Sequence, residues 1–248
     1  METAAKTDNF PLKATVDFES GTWGVRADSE KIKELFDEPV NLHVQSGDGG
    51  VRFTDGKGAE KSIRTCREYR SVIEAGFYPS DNTELKISFD LAATSAMLEA
   101  ASCAKLAPIS YIRSPRLGLT NLNLLPARLA PTWRLDGSEI ISKQDATTIQ
   151  EFLDTRSISA QIHSNTQVSI ECEDHGVTLT ELMRADFDDD GVEEILFKSH
   201  FYIKFATFRS LSIGLLRKRD LVSMFEYQSW NSEIEMAQYR HQMARIMR

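Results

Sequence analysis

Acids at alternate positions, then a glycine, then further acid follow one another in Asp186-Phe187-Asp188-Asp189-Asp190-Gly191-Val192-Glu193-Glu194-Ile195. The spacing suits a hard cation. Ca²⁺ takes about 6–8 oxygen ligands, and a loop delivers them as carboxylates at its first, third and fifth positions, a carbonyl at the seventh and an acid near the ninth or twelfth. Asp186, Asp188, Asp190, the Val192 carbonyl and Glu194 fill those roles in order. Gly191 supplies the turn, because a residue without Cβ enters positive φ at little cost. Three aspartates this close repel one another unless a cation or hydrogen-bond donors offset them. The metal-free alternative is an acidic hairpin turn in which Asp186 and Asp188 cap backbone N–H groups.

Other chemistry fails on spacing. The chain has no G-x-S-x-G, H-E-x-x-H or G-x-G-x-x-G, the frames of a nucleophile elbow, a zinc protease and a dinucleotide fold. Gly56-Lys57-Gly58-Ala59-Glu60-Lys61-Ser62 imitates a phosphate loop, but the two glycines that loop needs fall on Asp55 and Glu60, and an acid there repels phosphate. Cys66 lies among Arg64, Arg67 and Arg70, cations that can lower a thiol pKa; the plainer reading is a surface cysteine. Cys172 and His175 are three apart, but Glu171, Glu173 and Asp174 around them oppose a thiolate. His163 and His200 stand alone on expected strand ends. Asp186 and Glu194 could work as a hydrolytic carboxylate pair, although acids in this frame are better suited to holding a cation.

The same residues narrow the type of metal loop. An EF-hand requires a bidentate Glu at its twelfth position, and that position is Phe197. The D-x-D-x-D-G-x-x-acid-Ile-Leu pattern resembles instead the calcium loops of FG-GAP and related bacterial propeller repeats. That resemblance implies a loop joining two antiparallel strands, with the ninth position closing the site. Glu194 stands where Asp is more usual. The resemblance covers roughly fifteen residues and occurs once, whereas a propeller needs several blades.

With 248 residues, 41% hydrophobic and 27% charged, the chain can bury a sizeable core as one large domain or two modest ones. Its 29 basic and 37 acidic residues leave a net charge of −8, which disfavours nucleic acid and anionic membranes and suits a partner with a basic surface. Cys66, Cys103 and Cys172 are odd in number and widely spaced, so neither a disulfide framework nor a zinc cluster is indicated. The N-terminus has no apolar signal region, and no stretch reaches the ~18 apolar residues of a membrane span. The expectation is a cytoplasmic protein.

These residues must be positioned by a mixed chain. Alternation at Ala14–Phe18 reads as a strand, and Ser29 opens a helix carrying Ile32, Leu35 and Phe36. Leu42–Gln45 and Val51–Thr54 flank Gly47-Asp48-Gly49-Gly50 as a hairpin. Leu85, Ile87 and Phe89 alternate as a strand, after which Asp90 opens a helix through Leu91, Leu98, Ala101 and Leu106 that Pro108 stops. From Lys105 to Arg134 the chain has no acid but includes Lys105, Arg113, Arg116, Arg128 and Arg134. This stretch is either a connection whose arginines pair with the acidic remainder or an anion contact. Asp136-Gly137 marks a turn, and Asp145 caps a short helix with Ile149, Phe152 and Leu153.

An antiparallel meander follows, its inward sets being Ile158/Ala160/Ile162, Val168/Ile170/Cys172, Val177/Leu179, Phe201/Ile203/Phe205 and Leu211/Ile213/Leu215. The metal loop would lie at the rim of that sheet. Ser232 and Glu235 form a capping box for a terminal helix with Met236, Tyr239, Met243 and Met247 on one stripe.

The sequence therefore predicts an α+β protein, with a mixed region over 1–135 and a β-rich region over 136–248 that may form one continuous domain. The function it suggests is non-catalytic protein binding around one structural calcium site, as in an immunity protein that inhibits a basic toxin or enzyme. The alternative is a metal-dependent hydrolase in which the loop holds a catalytic ion and His163, His175 or His200 serves as base.

Overall fold

A computed structural model describes residues 14–18, 23–27, 29–40, 50–131, 147–155, 158–205 and 209–230. Both helices and antiparallel sheets are present, so the fold is α+β. The chain divides into two compact units, one built on Lys13–Ser102 and the other on Cys103–Gln228. The segment after Cys103 belongs to the unit of the later sheet, on which its Ile112, Leu119 and Leu125 pack.

In the first unit, strand β1 (Ala14–Phe18) pairs antiparallel with β2 (Trp23–Ala27), and helix α1 (Ser29–Leu35) follows. Ile32 and Phe36 are buried, as their shared face predicts. Strand β3 (Val51–Thr54) is the centre of a three-stranded sheet, between β4 (Glu60–Ile63) and β5 (Tyr78–Pro79). Its hairpin partner is β4, across the turn Asp55–Ala59. The residues 42–45 expected in that role lie outside the described residues, and the false phosphate loop is this turn.

Helix α2 (Cys66–Glu74) opens with a reciprocal cap. The Glu68 N–H donates to Thr65 Oγ1 at 3.1 Å, and the Thr65 N–H donates to Glu68 Oε2 at 3.1 Å. Losing such a cap costs about 1 kcal/mol.

Helix α3 (Asn82–Cys103) corrects two expectations. Leu85, Ile87 and Phe89 are helical, not a strand, and the helix opens eight residues before Asp90. Asp81 starts it, its Oδ1 accepting the N–H groups of Thr83 at 2.8 Å and Glu84 at 2.9 Å. It ends at Cys103, so Leu106 lies beyond it and is exposed. Val51, Phe53, Ile63, Tyr69, Val72 and Leu91 form the core of this unit, with Phe53 and Tyr69 edge to face at 6.0 Å.

The second unit begins with the basic stretch. It then has a 3-10 turn (Ala127–Leu129), helix α4 (Ile149–Thr155) and strands β6 (Ser159–Ser164), β7 (Gln167–Glu171), β8 (His175–Ala185), β9 (Glu194–Ile203), β10 (Arg209–Arg217) and β11 (Glu226–Ser229). The six strands form one sheet in the order β11-β10-β9-β8-β7-β6, the meander that the alternation predicts. Thr148 caps α4, accepting the Glu151 N–H at 3.2 Å; Asp145, Asp136-Gly137 and the terminal helix after Ser232 lie outside the described residues. Ile112, Leu119, Leu125, Ile149 and Phe152 cover one face of the sheet, against Val168, Ile170, Val177, Leu179, Ile195 and Phe197. Removing a buried ring such as Phe152 costs about 3–5 kcal/mol.

Two inward sets need correction. Ile162 is 54% exposed on the edge strand β6, and Phe205 is 87% exposed past the end of β9. The deeply buried part of β9 is its start, Glu194–Phe197, directly after the acidic loop. Buried Ile213 and Leu215 alternate with Leu216 of the core cluster, so β10 is covered on both faces near that end.

The basic stretch resolves into pairing. Lys105 meets Asp189, Arg113 meets Glu193, Arg116 meets Glu181, and Arg128 donates to the Tyr227 carbonyl while lying 4.9 Å over its ring. Arg134 lies outside the described residues. Among the described residues, no helix is long and apolar enough to cross a membrane.

Candidate metal centre

The acidic loop is the connection between β8 and β9, whose last registered pair is Ala185 opposite Glu194. Its path is wound by its own side chains. Asp186 accepts the N–H of Asp189 at 2.7 Å on one oxygen and that of Gly191 at 2.9 Å on the other. Asp188 accepts from Asp190 N–H at 3.3 Å, and Asp190 from Val192 N–H at 2.8 Å. Asp189 and Gly191 both take positive φ, 67° and 83°; aspartate tolerates that region through local hydrogen bonds, and glycine has no Cβ to clash.

A strap from the basic stretch holds the loop from outside. Lys105 and Asp186 exchange backbone hydrogen bonds of 2.8 and 3.0 Å, and Ile109 accepts from the Glu193 N–H at 2.8 Å. Buried Glu193 points into this strap, taking Ser110 Oγ at 2.6 Å and Arg113 Nη2 at 2.5 Å.

The result is an acidic group that can hold a metal ion: one carboxylate oxygen from each of Asp186, Asp188 and Glu194, all within 4.8 Å of one another. Asp186 and Glu194 are buried, 3% and 1% exposed. Asp190 is not in this group but is joined to it through Arg217, whose Nη2 lies 3.7 Å from its Oδ2. Val192 is held through its N–H by Asp190.

Charge at the loop does not balance. Residues 186 to 194 contain six carboxylates. Among the described residues three cationic side chains pair with them: Lys105 on Asp189, Arg113 on Glu193, and Arg217 on Asp188, Asp190 and Glu194. Asp186 has only backbone donors.

The cost is visible at Glu194. Burial pushes its carboxyl up to about 7; the Phe187 N–H at 3.0 Å opposes the rise, and the negative charges of Asp190 and Asp186 add to it. Arg217 Nε also lies 2.8 Å from Glu194 Oε1. A divalent cation coordinated by these oxygens would favour the ionised form, and its binding would release a proton. The donor set is oxygen only, which selects hard cations over soft ones.

Sequence reasoning missed Arg217. Its signal lies in the strand register: with Leu216 opposite Ile195, the next residue of β10 falls across from Glu194.

The other expected groups are elsewhere. Strand β8 runs from His175 to Ala185, and at ~3.3 Å per residue His175 lies about 33 Å from the loop. His200 is opposite Thr178, and His163 Nε2 is 2.8 Å from Ser169 Oγ, which lies beside Thr178. Cys66 is fully buried rather than on the surface, and burial pushes its thiol up to about 12 despite the neighbouring arginines. Cys172 is pushed up to about 11, by burial first and then by Asp174. Neither is poised as a nucleophile.

Comparison with family models, with characterised proteins and with solved structures gives no match for this chain.

Proposed function

We propose that this protein is a non-catalytic binding protein whose sheet unit is clamped by one structural calcium ion in the β8–β9 loop. The observation that carries the reading is the uncompensated charge: among the described residues six carboxylates face three cationic side chains, and Asp186 is paired with none of them. Calcium suits the site better than magnesium, because irregularly placed carboxylate and carbonyl oxygens meet its loose demand for about 6–8 ligands, whereas Mg²⁺ requires a near-ideal octahedron. Asp186, Asp188 and Glu194 would hold the ion, with Asp190 and the Val192 carbonyl completing the set.

A structural role is favoured over hydrolysis by distance. The three imidazoles named as candidate bases, His163, His175 and His200, stand about 20 Å or more along the strands from the loop, too far for one reacting centre.

The net charge of −8 supports a partner with a basic surface, as for an immunity protein acting on a basic toxin or enzyme. Complementary charge speeds encounter and makes it salt-dependent.

Thermal unfolding of chelated protein with and without millimolar calcium tests the site. The midpoint should rise with calcium in the wild type and not in Asp186→Asn/Asp188→Asn. No rise in either removes calcium from the account. The partner reading is tested by capture at low and high salt: a basic protein should be retained at low salt and released at high salt, and salt-insensitive capture would count against it.

A further inference from the structure

We propose that Arg217 is the loop's own counter-cation, a tethered guanidinium that holds the ligand carboxylates when no divalent ion is bound and yields them when one enters. The inference rests on reading the loop as a cation site.

Arg217 ends β10 one step beyond the pair Leu216–Ile195, on the same face as Glu194. Its Nε donates to Glu194 Oε1 at 2.8 Å, and its Nη2 pairs with Asp188 and, at 3.7 Å, with Asp190. One guanidinium thus engages two of the three grouped carboxylates, while the third, Asp186, is held by backbone N–H groups.

Occupancy by Arg217 and by calcium is mutually exclusive on electrostatic and geometric grounds. Calcium draws its oxygens to 2.3–2.6 Å, and a guanidinium left within about 4 Å of a divalent ion in a half-buried site meets strong repulsion. The way out lies at a strand end, where the Arg217 side chain is 22% exposed although its Nη2 is buried, so release turns the guanidinium outward past the loop. Its long stem can carry the charge into water while its methylenes stay packed. The loop is therefore neutralised in part in both states, and calcium must displace an internal competitor. The consequence is a lower calcium affinity than the same loop would have alone.

The test uses the full chain, chelated and then titrated with calcium by calorimetry, comparing wild type with Arg217→Gln and Arg217→Lys. Arg217→Gln should be less stable than wild type in chelator, yet bind calcium more tightly by on the order of tenfold, a usual size for coupling between two bound groups. Arg217→Lys should fall between them, since a point charge cannot span two carboxylates as a guanidinium does. If Arg217→Gln folds only when calcium is present, that rescue supports the proposal.

In the wild type, the Arg217 Nε–H resonance should shift on adding calcium, and its exchange with water should quicken. Unchanged affinity in Arg217→Gln overturns the inference while leaving the calcium site intact. Weaker affinity overturns it too, because Arg217 would then be orienting Glu194 for the ion. Absence of calcium binding in all three proteins removes the site itself and the inference with it.

Discussion

Two of the hairpin connections, Asp55–Ala59 between β3 and β4 and Asp186–Glu193 between β8 and β9, use one device to different ends. In each, the leading aspartate gathers backbone N–H groups: Asp55 Oδ1 takes Lys57 at 2.7 Å and Ala59 at 3.1 Å, as Asp186 takes Asp189 and Gly191. In each, positive φ is placed where the chain reverses, at Gly56 and Gly58 in one and at Asp189 and Gly191 in the other. The outcome for the acids is opposite. The N–H of Lys57 holds the half-buried Asp55 carboxyl below its usual range, while burial holds Glu194 above it. Backbone donors suffice for that one carboxylate. They do not suffice for six crowded against a buried strand, and that deficit is what a cation would meet.

The largest expected effect is at Asp186. Replacing it with Ala leaves two N–H groups without their acceptor, at a cost of about 2–4 kcal/mol in chelator. Asp186→Asn keeps one acceptor oxygen and turns the other into an NH2 donor, so its chelated loss should be about half that of Asp186→Ala, about 1–2 kcal/mol, and its calcium response should vanish. Equilibrium denaturation with and without calcium separates the two terms. Equal losses in both variants would mean that the charge of Asp186, rather than its oxygens, winds the loop.

The pH response should be nearly as large. The folded-state pKa of Glu194 is raised, from 4.5 toward about 7, so the folded protein holds the proton more tightly. The contribution is complete below about pH 4.5 and is lost as pH rises through about 7, by up to about 3 kcal/mol. Denaturation in chelator across that window should show stability falling with pH, and Glu194→Gln should flatten the slope. With calcium present the fall should be offset, because the ion favours the ionised form. A slope that survives in Glu194→Gln would move the cause elsewhere.

How far these turns were legible in sequence follows from which forces are local. The winding of the acidic loop could be read because its acids, its glycine and its hydrogen bonds all lie within ten residues. The meander could be read because alternation marks Val168/Ile170 and Val177/Leu179 as one face. Arg217 could not be read from spacing: it reaches Glu194 across a strand pair, and only the register reveals it. Helix α3 was misread at its start because it is covered nearly all round from Leu91 to Ala101. A helix buried on every side has no polar stripe to give a period, and Leu85, Ile87 and Phe89 then imitate a strand. Cys66 was misjudged because three charged neighbours in sequence say nothing about where its own side chain points.

A smaller effect tests the shared backbone. Gly191→Ala forces a Cβ into positive φ, at a cost of about 1–2 kcal/mol, and space is not the obstacle, since the nearest atom would be Pro108 Cγ at an ordinary 3.5 Å. Gly191→Asn should recover part of the loss, because asparagine tolerates that conformation. If both variants match wild type in chemical denaturation, the loop does not need left-handed backbone at this position.

The smallest effect is expected at Asp55, and it is the one that can break the comparison. Its folded-state pKa is depressed from 3.8 by backbone donors, so its contribution is present above that value and lost as pH falls through the folded one. The slope has the opposite sign to that of Glu194 and lies in a more acid window. Asp55→Ala should therefore lower the midpoint of unfolding slightly near neutral pH, by the same amount with or without calcium, and the difference from wild type should close in acid. A calcium-dependent difference would mean that this turn also recruits a cation. A difference that persists unchanged in acid would show that the carboxylate's N–H bonds are not what hold the turn, and the contrast between donor-satisfied and cation-requiring acids would lose its reference.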